Sequence, residues 1–171
     1  MPEKDLTRKY MSQDQERMNE AARSFLNEWL SSMNDALNSW RHEFLPEDFP
    51  FDFTLDSLDE LESLLLQRYT VDDSVDSEIN QPMTEGAVRY IGETLRRNVA
   101  SRWGYQDLGD ESDDPSNRTP LIRSNTSLEF IQDVAPVRRI KYLIRKRRPG
   151  TLRKSIILLL NAIDEEEKSG R

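Results

Sequence analysis

The strongest constraint on the fold is a row of apolar residues in the first quarter of the chain, spaced three or four positions apart. This spacing is the period of one face of an α-helix. Ser12, followed by Gln15 three residues later, forms a capping-box signature at the start of the row. The sequence therefore predicts one helix over residues 12–44, which Pro46 ends. The row consists of Met18, Ala22, Phe25, Trp29, Met33, Ala36, Trp40 and Phe44.

A single helix of this length is difficult to cover within one compact domain. About 33 helical residues span roughly 50 Å, whereas a domain of about 150 residues has a radius of about 15 Å. Part of the row must then contact a second subunit, which predicts a homodimer, or the helix must break at a kink. Residues 1–11 are polar and carry no capping signal, so we expect them to be frayed or disordered.

The rest of the chain predicts a helix-rich α+β fold, with about five helices and a small antiparallel β-hairpin in one domain over residues 12–167. The four further helices are predicted over residues 55–69, 84–100, 136–147 and 152–165, and the strands over residues 102–105, 121–123 and, as a short addition, 130–131. Thr151 is the expected cap of the last helix. Its predicted buried face consists of Leu152, Ile156, Leu159, Leu160 and Ile163.

Few residues of this chain are suited to catalysis or cofactor binding. There is no cysteine and only one histidine, His42, at the end of a predicted helix. These counts exclude thiolate chemistry and zinc sites built from histidine and cysteine. The six glycines form no phosphate-binding loop, and the longest apolar run, residues 156–160, is too short to span a membrane. We therefore expect a cytoplasmic, non-enzymatic protein with no cofactor.

Charge is distributed very unevenly along the chain. Residues 1–137 hold 13 basic and 28 acidic side chains, a net charge of −15, whereas residues 138–154 hold nine basic and no acidic ones. This basic segment belongs to the predicted C-terminal helical pair, residues 136–165. The candidate interaction residues within it are Arg138, Lys141, Arg145, Lys146, Arg147, Arg148, Arg153 and Lys154.

Three uses of the basic segment are open besides a simply solvated face. It can fold back on the acidic body, or it can bind an acidic protein, which includes a second copy of this chain. It can also bind nucleic acid phosphates, with the turn at Pro149 and Gly150 giving a pair that resembles a helix-turn-helix. The acidic body repels nucleic acid, and no aromatic residues for base stacking accompany the segment. A protein-interaction domain is therefore the favoured prediction, and a nucleic-acid-binding accessory protein is the alternative.

A second group of candidate residues lies at a predicted helix–strand junction. Gly92 within a helix costs about 1 kcal/mol relative to alanine, so a close approach by another group, such as the ring of Trp103, is expected there. Glu93 either pairs with neighbouring arginines on the surface or points inward, where it needs a buried partner such as Arg102. The favoured role for Glu93 is to orient the junction, and a catalytic role is the alternative.

These junction residues resemble a motif found in small bacterial families without an assigned function. In those families a helix reading Tyr-x-Gly-Glu runs through two glycines into a strand that begins with tryptophan. Here the corresponding residues are Tyr90 to Glu93 and Trp103, with Ala100 and Ser101 at the glycine positions. The resemblance covers residues 53–105 and implies an α+β interaction domain of an immunity or accessory kind.

Overall fold

A computed structural model describes residues 3–170 of the chain. Within that range it has seven α-helices and a three-stranded antiparallel sheet, so the predicted helix-rich α+β fold is confirmed with two more helices than expected. The elements are α1 (Glu3–Arg17), α2 (Glu20–Ser31), α3 (Met33–Phe44), α4 (Leu55–Arg68), α5 (Gln81–Asn98), β1 (Ser101–Gly104), β2 (Leu121–Ser124), β3 (Asp133–Val134), α6 (Pro136–Lys146) and α7 (Ile156–Ser169). Short 3-10 turns occupy Asp72–Asp76, Glu78–Asn80 and Arg153–Ser155.

The long N-terminal helix predicted from the apolar row is three helices. Asn19 interrupts it and caps α2, because its side-chain oxygen accepts a hydrogen bond from the amide of Ala22 at 2.9 Å. Ser32 separates α2 from α3. The two breaks let both tryptophans of the row, Trp29 and Trp40, pack in the core of the same chain. The kink alternative is therefore what the structure shows, and the row no longer argues for a second subunit.

Helix α1 includes residues that the sequence predicts to be frayed. The structure places residues 3–11 within this helix, and residues 1 and 2 lie outside the described range. Two of its side chains are buried, Tyr10 and Asp14. The carboxylate of Asp14 accepts hydrogen bonds from Arg102 of β1 at 2.6 and 2.9 Å. An ion pair rather than an apolar stripe docks this helix, which explains why hydrophobic periodicity does not reveal it.

Helix α5 is the central element of the core. Most of its residues from Met83 to Leu95 are buried, and it contacts α3, α4, α6 and β1. The hydroxyl of Tyr90 forms a 2.7 Å hydrogen bond with Ser57 near the start of α4. The indole of Trp40 donates to the carbonyl of Met83 at 3.2 Å. These contacts hold α5 between the helical layer and the sheet, so its C-terminal end positions the junction with β1.

The three strands are in the order β1-β2-β3, with antiparallel pairing throughout. Ser101 pairs with Ser124, and Ile122 pairs with Val134. The third strand lies at Asp133–Val134 and not at the predicted residues 130–131, because the turn that follows β2 is longer than a tight hairpin requires. Among the described residues, the turn from α5 into β1 has no positive φ between positions 99 and 101, so Ala100 and Ser101 fit without glycine.

The C-terminal helical pair differs in detail from its prediction. Helix α6 begins with Pro136 and ends at Arg147, which is left-handed with a φ of 51°. The hydroxyl of Thr151 donates to the carbonyl of Arg148 at 2.6 Å and does not cap a helix. A 3-10 turn follows before α7 begins at Ile156. Within the described residues, no helix has the length and apolar character needed to cross a membrane.

Candidate functional site

Part of the basic segment, residues 138–154, stabilises the fold of this chain. The guanidinium of Arg147 donates to the carbonyls of Leu66 and Tyr69, at 2.9 and 3.3 Å. These carbonyls lie at the C-terminal end of α4, where the last turn of a helix lacks intrahelical donors and carries a partial negative charge. Arg147 therefore joins α6 to α4 as a C-terminal cap.

Two further cations of the segment contact acidic side chains of the body. Lys141 lies 2.6 Å from Asp76, and Arg153 lies 2.7 Å from Asp56 and 3.4 Å from Asp59. Over a third of each cationic side chain is exposed, so each pair contributes less than about 1 kcal/mol to stability. The segment thus folds back on the acidic body at a few positions.

Arg139 also bonds within the chain, donating to the Ser155 hydroxyl at 3.0 Å and to the Thr151 carbonyl at 2.9 Å, whereas four other cations lie on the surface. Within residues 3–170, none of four basic side chains forms an ion pair with the protein, and all four are exposed. These four are Arg138, Lys146, Arg148 and Lys154. Arg145, also exposed, lies with its guanidinium 6.0 Å from the ring of Tyr142. A groove of about 310 Å³ lies along β3 and α6, where Asp133, Arg138, Tyr142 and Arg145 line it together with Leu158 from α7.

Helix α7 exposes large aliphatic side chains beside this groove. Ile157, Leu158 and Leu160 are 48%, 46% and 47% exposed, whereas Ile156 and Leu159 of the same run are buried. The prediction that Leu160 is buried is therefore wrong. Five consecutive apolar residues exceed one helical turn of 3.6 residues, so they cannot all face the core. That run was the sequence signal for an exposed apolar surface, and sequence reasoning missed it.

We call these residues the basic–aliphatic surface: Arg138, Arg145, Lys154, Ile157, Leu158 and Leu160. It combines exposed cations with exposed aliphatic side chains of the C-terminal helical pair: Ile157 and Leu160 lie about 60° apart around α7, and Leu158 lines the groove with Arg138 and Arg145. Isolated surface leucines are ordinary in proteins, but a contiguous apolar patch rimmed by charge is typical of an interaction site. The arrangement can bind an apolar side chain and a carboxylate at the same time.

The junction residues Gly92, Glu93 and Trp103 lie together at the end of α5, as the sequence predicts. A Cβ atom added to Gly92 would lie 2.0 Å from Cη2 of the Trp103 ring, so only glycine accommodates this ring. The Trp103 indole donates to Oε2 of Glu93 at 2.9 Å, and Arg96 donates to the same carboxylate at 2.8 and 3.1 Å. The buried partners of Glu93 are therefore Trp103 and Arg96, and Arg102 pairs with Asp14 instead.

The environment of Glu93 keeps its carboxylate ionised. Burial raises the pKa of Glu93, but the hydrogen bonds from Arg96 and Trp103, with the positive charges of Arg96 and Arg97, outweigh burial and hold the pKa below its usual value. A carboxylate whose oxygens already accept these bonds is poorly suited to take up or release a proton. Its geometry supports the orienting role over a catalytic one.

No family model matches the sequence, and neither a curated protein nor a solved structure shows significant similarity to it. The resemblance over residues 53–105 to uncharacterised bacterial families therefore stays a prediction. Function has to be argued from the basic–aliphatic surface and the junction themselves.

Proposed function

We propose that this chain is a protein-interaction domain that binds an acidic partner protein through the basic–aliphatic surface. The observation that carries the proposal is the row of three half-exposed aliphatic side chains at the start of α7. A stretch of helix that is apolar on both its inner and outer sides, as residues 156–160 are, is typical of one that is covered on both sides. The inner face of α7 packs on the sheet, which leaves the outer face for a partner.

Charge complementarity supports an acidic partner. Arg138 and Lys154 are exposed and form no ion pair within the described residues, and Arg138 lines the groove together with Leu158. Opposite charges across an interface accelerate association and exclude like-charged partners. The best fit is an acidic segment that also carries aliphatic side chains.

The aliphatic row also favours protein over nucleic acid. Nucleic acid binding relies on phosphate contacts by cations and on aromatic stacking, and neither uses three exposed aliphatic residues. The body of −15 disfavours a polyanion in addition. An accessory or immunity-type role, which the resemblance at residues 53–105 implies, is a role of this kind.

The test begins with the oligomeric state. Light scattering on the purified chain should report a monomer. If it reports a dimer that Leu160→Ser converts to a monomer, the surface binds a second copy of this chain and the proposal of an external partner is overturned. Ile79→Ser is the matched control, because Ile79 is 83% exposed but belongs to a different segment.

The partner is then identified by photo-crosslinking from position 161, on the outer face of α7, and purified for calorimetric titration. We expect an acidic protein whose affinity falls with salt, falls about tenfold with Leu160→Ser, and is unchanged by Ile79→Ser. Equal affinity for both variants would contradict the proposal. Duplex DNA binding at about 0.15 M salt, lost in Arg138→Gln with Lys154→Gln, would favour the nucleic-acid alternative instead.

A further inference from the structure

A cleft of about 410 Å³ opens between α1, the junction of α2 with α3, and the C-terminal end of α5. Its volume falls within the range of roughly 300–1,000 Å³ that is typical of small-molecule sites. Four apolar side chains form one part of its lining: Met11, Leu30, Met33 and Trp103. The cleft shares no residue with the basic–aliphatic surface, so a ligand bound in it would be independent of a partner bound at that surface.

The other part of the lining contains three arginines, of which two donate hydrogen bonds to a carboxylate and the third, Arg97, forms only a looser ion pair with Glu93. Arg96 bonds to Glu93, and Arg102 bonds to Asp14. Arg97 differs, because the nearest oxygen of Glu93 is 3.7 Å away, too far for a hydrogen bond. Within residues 3–170 its N–H groups donate no hydrogen bond to the protein. Arg97 therefore presents unused donors to the cleft.

The guanidinium of Arg97 is nevertheless held in place. It packs 3.7 Å from the centre of the Phe53 ring, a cation–π contact. The planar fork of a guanidinium matches the two oxygens of a carboxylate. Asn34, an exposed residue that also lines the cleft, adds a side-chain amide donor. Together these groups form an anchored, positively charged end of a cleft whose remaining lining is half apolar.

The charges of the lining also limit the ligand. The three lining arginines exceed the one lining carboxylate, Glu93, by two positive charges, and the pairing of Arg102 with Asp14 behind the lining reduces this excess to one. A ligand with one negative charge neutralises that excess, whereas a second negative charge would meet the ionised carboxylate of Glu93. The apolar side chains require the rest of the ligand to be hydrocarbon or aromatic.

We propose that this cleft binds a small organic acid with one carboxylate and an apolar body. The carboxylate accepts hydrogen bonds from Arg97 and Asn34, and the apolar body packs against Met33 and Trp103. This site is distinct from the protein-interaction function, so either proposal can fail without the other.

Hexanoate and 3-phenylpropanoate are suitable probes, in an NMR titration that follows the backbone amides and the Trp103 indole. We expect saturable shifts at Trp103 and at the end of α5. Hexanamide, which lacks the charge, and adipate, which has two carboxylates, should bind more weakly than hexanoate. Loss of a charge-assisted hydrogen bond in Arg97→Gln should weaken hexanoate binding about tenfold or more.

Arg68→Gln is the matched control, because Arg68 is an exposed arginine that stacks on Phe44 outside the cleft. It should leave hexanoate binding unchanged. Asn34→Asp, which adds a negative charge at an exposed position, should weaken binding as Arg97→Gln does. The proposal is overturned if neither acid saturates at millimolar concentrations, if hexanamide binds as well as hexanoate, or if Arg97→Gln binds hexanoate as the unmodified chain does.

Discussion

Replacing Gly92 by alanine tests the packing of the helix–strand junction most directly. The added methyl would lie 2.0 Å from the ring of Trp103, well inside van der Waals contact. The ring cannot withdraw freely, because Trp103 is 2% exposed and its centroid lies 5.5 Å from that of Trp29, in an edge-on arrangement. Movement would also break the 2.9 Å hydrogen bond from the indole to Glu93.

Three effects set the size of the loss. Overpacking a core costs about 1–3 kcal/mol. Losing a hydrogen bond to a charged group costs about 1.5–3 kcal/mol. Alanine regains about 1 kcal/mol of helix propensity over glycine. We therefore expect Gly92→Ala to lower the free energy of unfolding by about 1.5–5 kcal/mol, which lowers Tm by roughly 3–20 °C in a chain of this size.

Urea denaturation followed by circular dichroism measures this loss. A double-mutant cycle with Trp103→Phe assigns it to the ring, because the atoms nearest the added methyl all belong to the six-membered ring of the indole. In the Trp103→Phe background, the alanine should cost less than about 1 kcal/mol. The reasoning is refuted if Gly92→Ala is neutral, or if it costs the same in both backgrounds.

Three further predictions concern charged side chains. Asp14→Ala leaves Arg102 without its buried partner, which costs about 3–5 kcal/mol of stability if nothing moves. Hydrogen exchange should show that the amides of α1 lose protection while those of α5 keep it. Asp5→Ala is the control and should leave the protection of α1 unchanged. The Arg96 and Trp103 contacts lower the folded pKa of Glu93 despite burial, so they stabilise the fold above about pH 4.3, the unfolded value, and this contribution is lost as pH falls through the folded pKa. The unmodified chain should therefore be more stable than Glu93→Gln at neutral pH, and the difference in their free energies of unfolding should shrink as the pH is lowered. A difference that does not change with pH would contradict this. Arg147→Gln should cost about 1 kcal/mol through its lost bonds to α4, whereas Arg148→Gln should stay within about 0.5 kcal/mol in thermal unfolding.

The α+β class and most helices were predictable because their signals are local. The apolar spacing of α4 and α5, the cap at Thr54 and the proline at the start of α6 each act within a few residues. The approach of Trp103 to Gly92 was also predictable, since glycine inside a helix needs a compensating contact. These features require no knowledge of what the rest of the chain does.

The remaining features depend on residues far apart in the sequence. Periodicity alone does not show that the helix over residues 12–44 breaks at Asn19 and Ser32, because the apolar row keeps its spacing through both positions. Docking of α1 depends on Asp14 and Arg102, which are 88 positions apart. No sequence pattern in either segment indicates that these two residues pair.

The candidate sites divide in the same way. Composition alone located the basic segment, but only the tertiary structure shows which of its cations bond to the rest of the chain. Arg147 donates hydrogen bonds to carbonyls of α4, whereas Arg138 forms no ion pair within the described residues. Likewise the run Ile156 to Leu160 was visible in the sequence, whereas its exposed side depends on which face of α7 meets the sheet. Local interactions are encoded residue by residue. Which charged groups pair, and which apolar faces become buried, between distant segments is decided only when those segments pack together.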